Sequence, residues 1–405
     1  MKICGIIAEY NPFHAGHAYH IRATKELLGP ETAILCVMSG NFVQRGEAAI
    51  LEKYRRARAA ARSGADLVLE LPLPAALSSA EGFARGGVGL LAALGCVTHL
   101  SFGSESGDLA LLRETARLLQ SEALIPGLRA GLRDGLSYAA ARQQALRAFS
   151  PARAALLDDP NNTLGIEYLC ALRALGSAIE PVTVARCGAA HDAPELTVGA
   201  YPSASALRAR IRAGGASACL PYLPPASAEE LFTALNEGEA PAALQTCETA
   251  LLAHFRRFGA EQLLAYTDGD EGLASRLHQA IRTQTDFDGI CAAAQTRCYP
   301  LARIRRALLR LYLSLDSDCP PEPQYARVLA VGPRGREILR AAEPSGLPLL
   351  VKPAHERRLP EQMQPALRRD ELSDDLYALM QPNRALHAAG ARFRRTPYVS
   401  PQTYP

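Results

Sequence analysis

Apolar and polar positions alternate along the first half of the chain with two different periods. Short and nearly continuous apolar runs, such as ICGIIAEY after Lys2 and AILCVMSG after Thr32, are separated by longer stretches in which apolar residues recur every three or four positions. This alternation predicts βαβ units and a parallel sheet with helices on both faces. The first helix is expected from about Ala15 to Leu28. In such a sheet, ligands bind at the carboxyl ends of the strands.

The pattern changes twice further along the chain, which predicts three regions. Residues 1–215 carry the α/β pattern, which resumes at EPVTVAR and ends near SASALRARIRAGG. Residues 216–320 are mainly helical by pattern, and residues 321–405 indicate a small α/β unit followed by a basic tail. We expect the tail from Gln381, which is rich in proline, arginine and tyrosine, to be poorly packed.

The composition limits the class of protein. A chain of 405 residues, 48% of them hydrophobic, can bury a substantial core. Its ten cysteines form no CxxC pair, which is typical of small buried side chains in a reducing compartment. The opening residues do not resemble a signal peptide, and no window approaches the ~20 apolar residues of a membrane span. We therefore expect a cytoplasmic protein without membrane association. A formal net charge of +3 permits a nucleic-acid partner without requiring one.

The stretch NPFHAGHAYH, residues 11–20, follows the first predicted strand and contains three histidines. As metal ligands, the three histidines would point in different directions around a helix, because three residues advance roughly 300° rather than a full turn. As ordinary core residues they leave the neighbouring proline and glycine unexplained. As a phosphate site, Gly16 allows close approach of a ligand, and the start of the helix offers free N–H groups. His14 and His17 would add imidazole donors, with His20 in a supporting position. We favour the phosphate site and expect no metal held by the protein alone.

A second anion-binding candidate is SASALR, Ser203 to Arg208, where the α/β pattern ends. Its serines are also typical of an ordinary helix N-cap, and both interpretations can hold because a capped helix start binds anions. The two commonest phosphate loops, GxxxxGK[ST] and GxGxxG, do not occur in the sequence.

HAGH resembles the HxGH signature of the superfamily of nucleotidyltransferases and class I aminoacyl-tRNA synthetases, and SASALR is similar to its second phosphate-contacting stretch. Longer stretches resemble the tRNA(Met) cytidine acetate ligases, in this order: GIIAEYNPFHAGHAYH, SGNFVQRGEAAI, KYRRARAAARSGADLVLELP, LSFGSE, NNTLGIEYLCAL and VARCGAAHD. The chain departs from that family's usual pattern at Ala15, Tyr54 and Ala190, where asparagine, tryptophan and an aromatic residue are common.

The resemblance implies a Rossmann-like parallel-sheet nucleotidyltransferase domain in residues 1–215, a mainly helical tRNA-binding region in residues 216–320, and the small α/β unit at the end. It also implies an activity. Such an enzyme uses ATP to activate acetate as acetyl-adenylate and then acetylates N4 of the wobble cytidine in elongator tRNA(Met). Mg²⁺ is expected to accompany ATP, and no protein partner is inferred.

The same resemblance implies the residues of the ATP site. His14, His17 and Arg208 are expected to be catalytic, because they would stabilise charge on the α-phosphate. Gly103 ends a strand where a nucleotide would lie. Asn162 offers a donor and an acceptor, although it could simply cap a helix, and Arg186 could pair with phosphate or remain solvated. The full set of expected ATP contacts is Ile7, Ala8, Glu9, Tyr10, Asn11, Pro12, Phe13, His14, Ala15, Gly16, His17, Ala18, Tyr19, His20, Gly103, Asn162, Arg186, Ser203 and Ser205.

Polar residues of the stretch SGNFVQRGE follow the second predicted strand, at the expected ligand edge. Ser39, Asn41, Gln44 and Arg45 are therefore candidates for contacts with the acyl substrate or the incoming cytidine. Glu47 could pair with Arg45 and have no chemical role.

The stretch RCYPLARIRRALLRLYL predicts an amphipathic helix, with Arg303, Arg306 and Arg310 opposite its apolar face. Together with Arg297, these residues form a basic stripe in a segment that contains no acidic residue, and the stripe could follow a tRNA backbone. A solvated helix face is the alternative.

Two other functions remain open from the sequence. A small-molecule adenylyltransferase would share the HxGH motif but would not need the arginine-rich helical half. A non-catalytic RNA-binding protein with the same fold would bind tRNA and release no pyrophosphate from ATP.

Overall fold

A computed structural model describes residues 1–186 and 202–401 and places a large sheet at the centre of the protein. Eight strands form this sheet, and two further strands form a separate hairpin. The strands of the described residues are β1 (Ile3–Ala8), β2 (Ala33–Ser39), β3 (Phe42–Val43), β4 (Glu47–Ala48), β5 (Leu67–Leu71), β6 (His99–Ser104), β7 (Glu180–Ala185), β8 (Ala326–Val331), β9 (Leu349–Leu350) and β10 (Tyr398–Val399).

Helices cover both faces of the sheet and make up most of the chain between β7 and β8. The first helix has the predicted bounds, because it begins at Ala15 and ends at Leu28. The α-helices are α1 (Ala15–Leu28), α2 (Lys53–Arg62), α3 (Leu73–Ala76), α4 (Ala80–Ala93), α5 (Leu109–Leu119), α6 (Ile125–Arg133), α7 (Tyr138–Phe149), α8 (Pro151–Ala155), α9 (Pro160–Ala174), α10 (Ala204–Arg212), α11 (Pro225–Asn236), α12 (Glu248–Phe255), α13 (Ala260–Leu263), α14 (Glu271–Thr283), α15 (Phe287–Ala294), α16 (Leu301–Tyr312), α17 (Gly335–Ala342), α18 (Pro353–Glu356) and α19 (Gln364–Ala378).

The order of the strands creates a crevice at the end of β1. The order of strands in the sheet is β10-β8-β5-β2-β1-β6-β7, with β9 beside β8. The five neighbouring strands β5, β2, β1, β6 and β7 are parallel to one another. The predicted α/β class with a mainly parallel sheet is therefore confirmed. The chain proceeds from β1 to β2 and β5 on one side, then crosses to β6 and β7 on the other. At such a reversal the connections diverge and leave space for a ligand.

Both faces of the central strands are buried, which explains their continuous apolar sequence. Side chains on one face of β1 and β2, including Ile7 and Val37, pack with α4, α5 and α9. Alternate side chains, including Ile6 and Cys36, pack on the other face with α1 and α2. The two helical layers therefore enclose the sheet and leave the strand ends as the route to the crevice.

The C-terminal residues complete the N-terminal sheet. Strand β8 pairs with β5 in the antiparallel sense, and β10 pairs with β8. The tail from Gln381, which we expect to be poorly packed, is buried at Gln381 and Arg392, while the rest of residues 381–401 is exposed or half-buried. Arg392 is 5% exposed and pairs with Glu356 and Glu371, which allows its charge to be buried. Among the described residues, no helix has the length and apolar character that crossing a membrane requires.

Buried ion pairs join α2 of the first region to the C-terminal residues. The Lys53 ammonium is 1% exposed and lies 2.9 Å from Glu70 and 2.8 Å from Asp374. Arg327 on β8 extends the cluster, because it lies 3.4 Å from Glu70 and 2.7 Å from Glu356. Each charge is therefore stabilised by partners that are distant in sequence.

We expect the substitution Lys53→Met to destabilise the protein by roughly 3–5 kcal/mol, because it leaves two buried carboxylates without their shared cation. Urea unfolding followed by circular dichroism measures the change. Arg85→Met is the matched control, since Arg85 and Glu322 form an exposed pair and such pairs contribute at most about 1 kcal/mol. An equal loss of unfolding free energy in the two variants would contradict the prediction that the buried pairs of Lys53 stabilise the protein more than an exposed pair does.

Candidate functional site

A cleft of about 550 Å³ opens at the carboxyl ends of β1, β6 and β7. The starts of α1 and α10 contribute one side of the cleft, while α4 and α9 contribute the other. Cavities of this size suit small-molecule ligands. The polar and charged residues that line it include Glu9, Asn11, His14, His17, His20, Gln44, Arg45, Asp158, Asn161, Arg186, Ser203 and Arg208.

His14 is the N-cap of α1, so its ring has a fixed orientation. The backbone N–H of Gly16 donates to Nδ1 of His14 at 3.1 Å, and the backbone N–H of His14 donates to Nδ1 of His17 at 3.2 Å. Because each Nδ1 accepts a hydrogen bond, the proton of each neutral ring resides on Nε2. Both residues line the cleft. The helix start thus supplies two imidazole N–H donors for a ligand oxygen.

The histidine rings are neutral near pH 7 in the ligand-free protein. Burial, together with the smaller effects of the cations Arg186 and Arg208, lowers the pKa of His14 to about 3. Burial also lowers the pKa of His17 well below its usual range, helped by His14, His20 and Arg186. An anionic ligand would relieve the repulsion among these groups, so the site favours negative charge.

Helix α10 brings the second predicted anion-binding segment to the first. Ser203 caps the helix, because its Oγ accepts from the backbone N–H of Ala206 at 3.1 Å. The Arg208 guanidinium is 8% exposed and donates to the backbone oxygen of Asn11 at 3.0 Å and to Oγ of Ser205 at 3.3 Å. Arg208 is therefore held at Asn11, 197 positions away in the sequence and just before the HAGH motif.

Glu47 connects Arg208 to the arginine-rich helix α16. Its carboxylate lies 3.7 Å from both Arg208 and Arg212, and 3.0 Å from Arg305. Glu47 therefore balances several cations and has a wider role than a pair with Arg45. The hairpin of β3 and β4 that carries Glu47 also packs against α16, since a Cβ on Gly46 would lie 2.5 Å from Cβ of Arg305.

His20 lines the cleft and is hydrogen-bonded to the sheet. Its Nε2 lies 2.9 Å from Oγ of Ser101, which in turn lies 2.7 Å from Oγ1 of Thr24. Burial lowers the pKa of His20 to about 4, with Arg186 as the second cause.

Most of the expected ATP contacts are brought together, and some are not. Residues 7–11 line the cleft with Gly16, Tyr19, Gly103 and Arg186. Pro12, Phe13, Ala15, Ala18 and Ser205 are not among the lining residues. Phe13 is fully buried in the core. Asn162 is also buried: its Oδ1 accepts from the backbone N–H of Ser106, and its Nδ2 donates to Asp159. Its neighbour Asn161 lines the cleft instead.

Two of the four candidates after β2 lie away from the cleft. Gln44 and Arg45 line it, whereas Ser39 and Asn41 are buried and are not among its lining residues. The Asn41 amide donates to Asp374 at 3.0 Å, and its oxygen accepts from the backbone N–H of Lys53 at 2.8 Å. Asn41 is a structural residue because both ends of its side chain have protein partners.

Three arginines of α16 have partners within the protein, which the sequence does not predict. Arg303 lies 2.9 Å from Asp270, Arg310 lies 2.6 Å from Asp268, and Arg306 donates to the backbone oxygen of Gln44 at 3.2 Å. The acidic partners come from the turn before α14, which is why the local sequence appears uncompensated. Arg297 is exposed, so it remains a candidate for contact with phosphate.

Sequence reasoning missed the aromatic side of the cleft. Phe83, Phe102 and Tyr168 line it together with Leu164. These residues lie in apolar stretches that fit an ordinary core, so no local signal marked them. The stretch from Cys187 to Asp192 of the VARCGAAHD segment, including Ala190, lies outside the described residues. Within residues 1–186 and 202–401, no group of three or more His, Cys, Asp or Glu side chains is arranged to hold a metal.

Comparison with known proteins identifies a family and several relatives that this chain is similar to. The sequence profile of the HIGH Nucleotidyl Transferase family matches residues 1–391. A tRNA(Met) cytidine acetate ligase of Acetivibrio thermocellus is 35% identical over 413 residues, covering 97% of this chain and 98% of the relative. Another tRNA(Met) cytidine acetate ligase, of Syntrophotalea carbinolica, is 41% identical over 351 residues, with coverage of 84% and 82%.

Solved structures agree with the sequence relatives. The apo crystal structure of Thermotoga maritima TmcAL has a TM-score of 0.93 at 32% identity, and the match covers 98% of this chain and 99% of that one. A second form, bound with alpha-thio ATP, has a TM-score of 0.91 at 30% identity and covers 99% and 100%. The likeness extends over essentially the whole chain.

We expect His14→Asn to weaken ATP binding about tenfold to a hundredfold, because it removes one hydrogen-bond donor to a charged phosphate. Asparagine is a good N-cap, so the unfolding midpoint should stay near that of the wild type. His14→Ala should weaken ATP binding and also destabilise the protein by about 1 kcal/mol through loss of the cap. Calorimetric titration and thermal unfolding separate the two effects. ATP affinity unchanged in His14→Asn would exclude the Nε2 donor.

The lowered pKa of His20 predicts loss of stability in acid. Above its unfolded pKa of about 6.5 the ring is neutral in both states. As the pH falls towards the folded pKa of about 4, the unfolded chain binds the proton first, and stability declines. His20→Gln should remove this component, since glutamine retains an amide near Ser101 but does not titrate. The urea midpoints of the wild type and of His20→Gln, measured between pH 7 and 4, should diverge as the pH falls. A constant difference between the two midpoints over this range would contradict the lowered pKa of His20.

Proposed function

Because the chain belongs to the HIGH nucleotidyl transferases and, among them, to the tRNA(Met) cytidine acetate ligases, we propose that it uses ATP and acetate to acetylate N4 of the wobble cytidine in elongator tRNA(Met). The observation that carries the proposal is the convergence of His14, His17 and Arg208 on one cleft. Related proteins are named tRNA(Met) cytidine acetate ligases, and the similar structure of Thermotoga maritima TmcAL is bound with alpha-thio ATP.

The first step is the activation of acetate. An acetate oxygen attacks the α-phosphorus of ATP, the bond to the bridging oxygen breaks, and pyrophosphate leaves with that electron pair. The neutral Nε2–H groups of His14 and His17 donate to the α-phosphate oxygens, and the Arg208 guanidinium balances their charge. Donors fixed before the reaction need no reorganisation while the charge develops.

The second step transfers the acetyl group to tRNA. The N4 amine attacks the acetyl carbonyl carbon of acetyl-adenylate, the bond from that carbon to the phosphate oxygen breaks, and AMP leaves. Positioning contributes much of the rate, because the adenylate and the cytidine must meet in one cleft.

Mg²⁺ is proposed to arrive with the phosphates of ATP. Within residues 1–186 and 202–401, the carboxylates that line the cleft are Glu9 and Asp158, which are too few for a protein-only cage. They fit an ion that is held mainly by phosphate and water, which neutralises charge on the triphosphate when it is bound.

Residues 216–320 are proposed to present the tRNA-binding surface, while residues 1–215 hold ATP and residues 321–405 complete the fold. Arg45 and Arg297 are the proposed phosphate contacts, since Arg45 lines the cleft and Arg297 is exposed. A tRNA substrate further implies that the protein works in the cytoplasm.

The test is to incubate the protein with ATP, acetate and a tRNA(Met) transcript, and to follow pyrophosphate release and the mass of the tRNA digest. We expect pyrophosphate release that depends on acetate, and one added acetyl group on the cytidine. His17→Ala should reduce both by about 100-fold or more. A small-molecule adenylyltransferase would be unaffected by acetate and tRNA, and a non-catalytic RNA-binding protein would bind the transcript without releasing pyrophosphate.

A further inference from the structure

Helices α6 and α7 form a hairpin beside the cleft, and none of its residues lines the cleft itself. Two contacts of α7 fix its position. Nε2 of Gln143 donates to Oδ1 of Asp158 at 2.6 Å, and Asp158 is an exposed residue that lines the cleft. The Arg142 guanidinium pairs with Glu167 of α9, a helix that also contributes to the cleft. The hairpin is therefore attached to the edge of the cleft.

Small residues determine which side of α6 faces outwards. A Cβ on Gly127 would lie 3.0 Å from Cβ of Ala145, and a Cβ on Gly131 would lie 2.8 Å from Cβ of Ala141, so the glycine side packs against α7. The opposite side recurs at i, i+4, i+7 and i+8. Its residues, all exposed, are Ile125, Arg129, Leu132 and Arg133.

This outer side of α6 carries two cations whose charge the fold does not balance. Within residues 1–186 and 202–401, neither Arg129 nor Arg133 makes an ion pair or a side-chain hydrogen bond. The hairpin, residues 125–149, contains four arginines and a single acidic residue, Asp134. In α16, by contrast, acids from the turn before α14 pair with the arginines. The hairpin therefore presents an excess of positive charge to the solvent.

The turn of the hairpin contacts the region that we propose to bind tRNA. Sγ of Cys298 donates to the backbone oxygen of Gly135, which lies in the turn between α6 and α7. Arg297, the exposed neighbour of Cys298, is thereby placed beside this turn. Tyr138, three residues after Gly135, begins α7 and is 51% exposed. An exposed aromatic ring and Arg297 thus belong to the same part of the surface.

We propose that the outer side of α6, together with Tyr138, is a docking surface for the backbone of the tRNA substrate, with Arg129 and Arg133 as phosphate contacts. This inference rests on the proposed function. Phosphate supplies the anions that the two guanidiniums lack, and arginine binds it through paired hydrogen bonds. An exposed tyrosine beside them suits stacking on an unpaired base. A second copy of the chain is a poorer occupant, since a symmetric contact would bring like charges together.

The hairpin joins the two parts of the protein that the substrate must meet. Helix α7 is attached to the cleft through Gln143 and Arg142, and the turn is attached to Cys298 of the helical region. A polynucleotide held on α6 is therefore positioned relative to both the cleft and Arg297. Such positioning contributes to the rate, because the reacting nucleotide is held close to the adenylate.

Binding of a labelled tRNA(Met) transcript to the full-length protein tests this surface without ATP or acetate. The double variant Arg129→Gln/Arg133→Gln removes two charges at exposed helical positions, where glutamine is a good helix former. We expect the dissociation constant, measured by fluorescence anisotropy at about 0.1 M salt, to rise roughly tenfold or more. The slope of log affinity against log salt concentration should decrease by about 1.4–1.8, because two fewer phosphates release counterions.

Arg336→Gln/Arg340→Gln is the matched control. Both arginines are exposed on α17 with the same i, i+4 spacing, and neither makes an ion pair in the described part of the chain. Helix α17 starts at the amino end of β5, opposite the cleft, because the backbone N–H of Arg334 donates to Asp66, the residue before β5. This variant has the same net charge as the first, and we expect it to bind the transcript like the wild type.

Equal losses of affinity in the two double variants would overturn the proposal, because net charge alone would explain them. Wild-type affinity and salt slope in Arg129→Gln/Arg133→Gln would also overturn it. Analytical ultracentrifugation tests the alternative occupant: a wild-type dimer that Leu132→Asp dissociates without weakening transcript binding would assign the surface to a second copy. If the hairpin variant weakens binding as expected while the wild type forms no acetylcytidine, the RNA surface is supported and the proposed activity fails.

Discussion

The hydrogen bond from the backbone N–H of Gly16 to Nδ1 of His14 joins the folding of α1 to the chemistry of the cleft. The bond caps the helix, and by occupying Nδ1 it places the ring proton on Nε2. The same logic fixes His17 through the backbone N–H of His14. A helix start and two directed donors are therefore produced by one local arrangement, and neither ring can turn without uncapping the helix.

Charge compensation organises the surroundings of those donors. Arg208 is held beside the histidines by Asn11 and Ser205, and Glu47 balances it against the arginines of α16. Burial in this cluster makes each cation dependent on its carboxylate. The α/β region and the helical region consequently share a cluster of charges around Glu47, and Arg208 of this cluster lines the cleft.

Local features of the site could be predicted from the sequence, because they depend on short-range patterns. Strand and helix periods located α1, and the motif spacing placed His14 and Ser203 at helix starts. Contacts between distant segments could not be predicted. The local sequence marks Asn41 as a loop residue, whereas its amide donates to Asp374, 333 positions later. The segment around α16 contains no acid, whereas the acidic partners of its arginines lie in the turn before α14. Tyr168 has the sequence context of a core residue, and only the packing of α9 against the sheet places it at the cleft.

The buried pair between Lys53 and Asp374 has a consequence for the order of events during synthesis. Lys53 leaves the ribosome more than 300 residues before the carboxylate that completes its environment, and strand β10 follows later still. Until Asp374 is made, Lys53 has Glu70 as its partner within this cluster, and β10 is missing from the sheet beside β8. Domains generally fold as units during translation, yet here the surroundings of α2 are complete only when nearly the whole chain has been made. The residues that line the cleft are all made before the residues that finish the edge of its sheet.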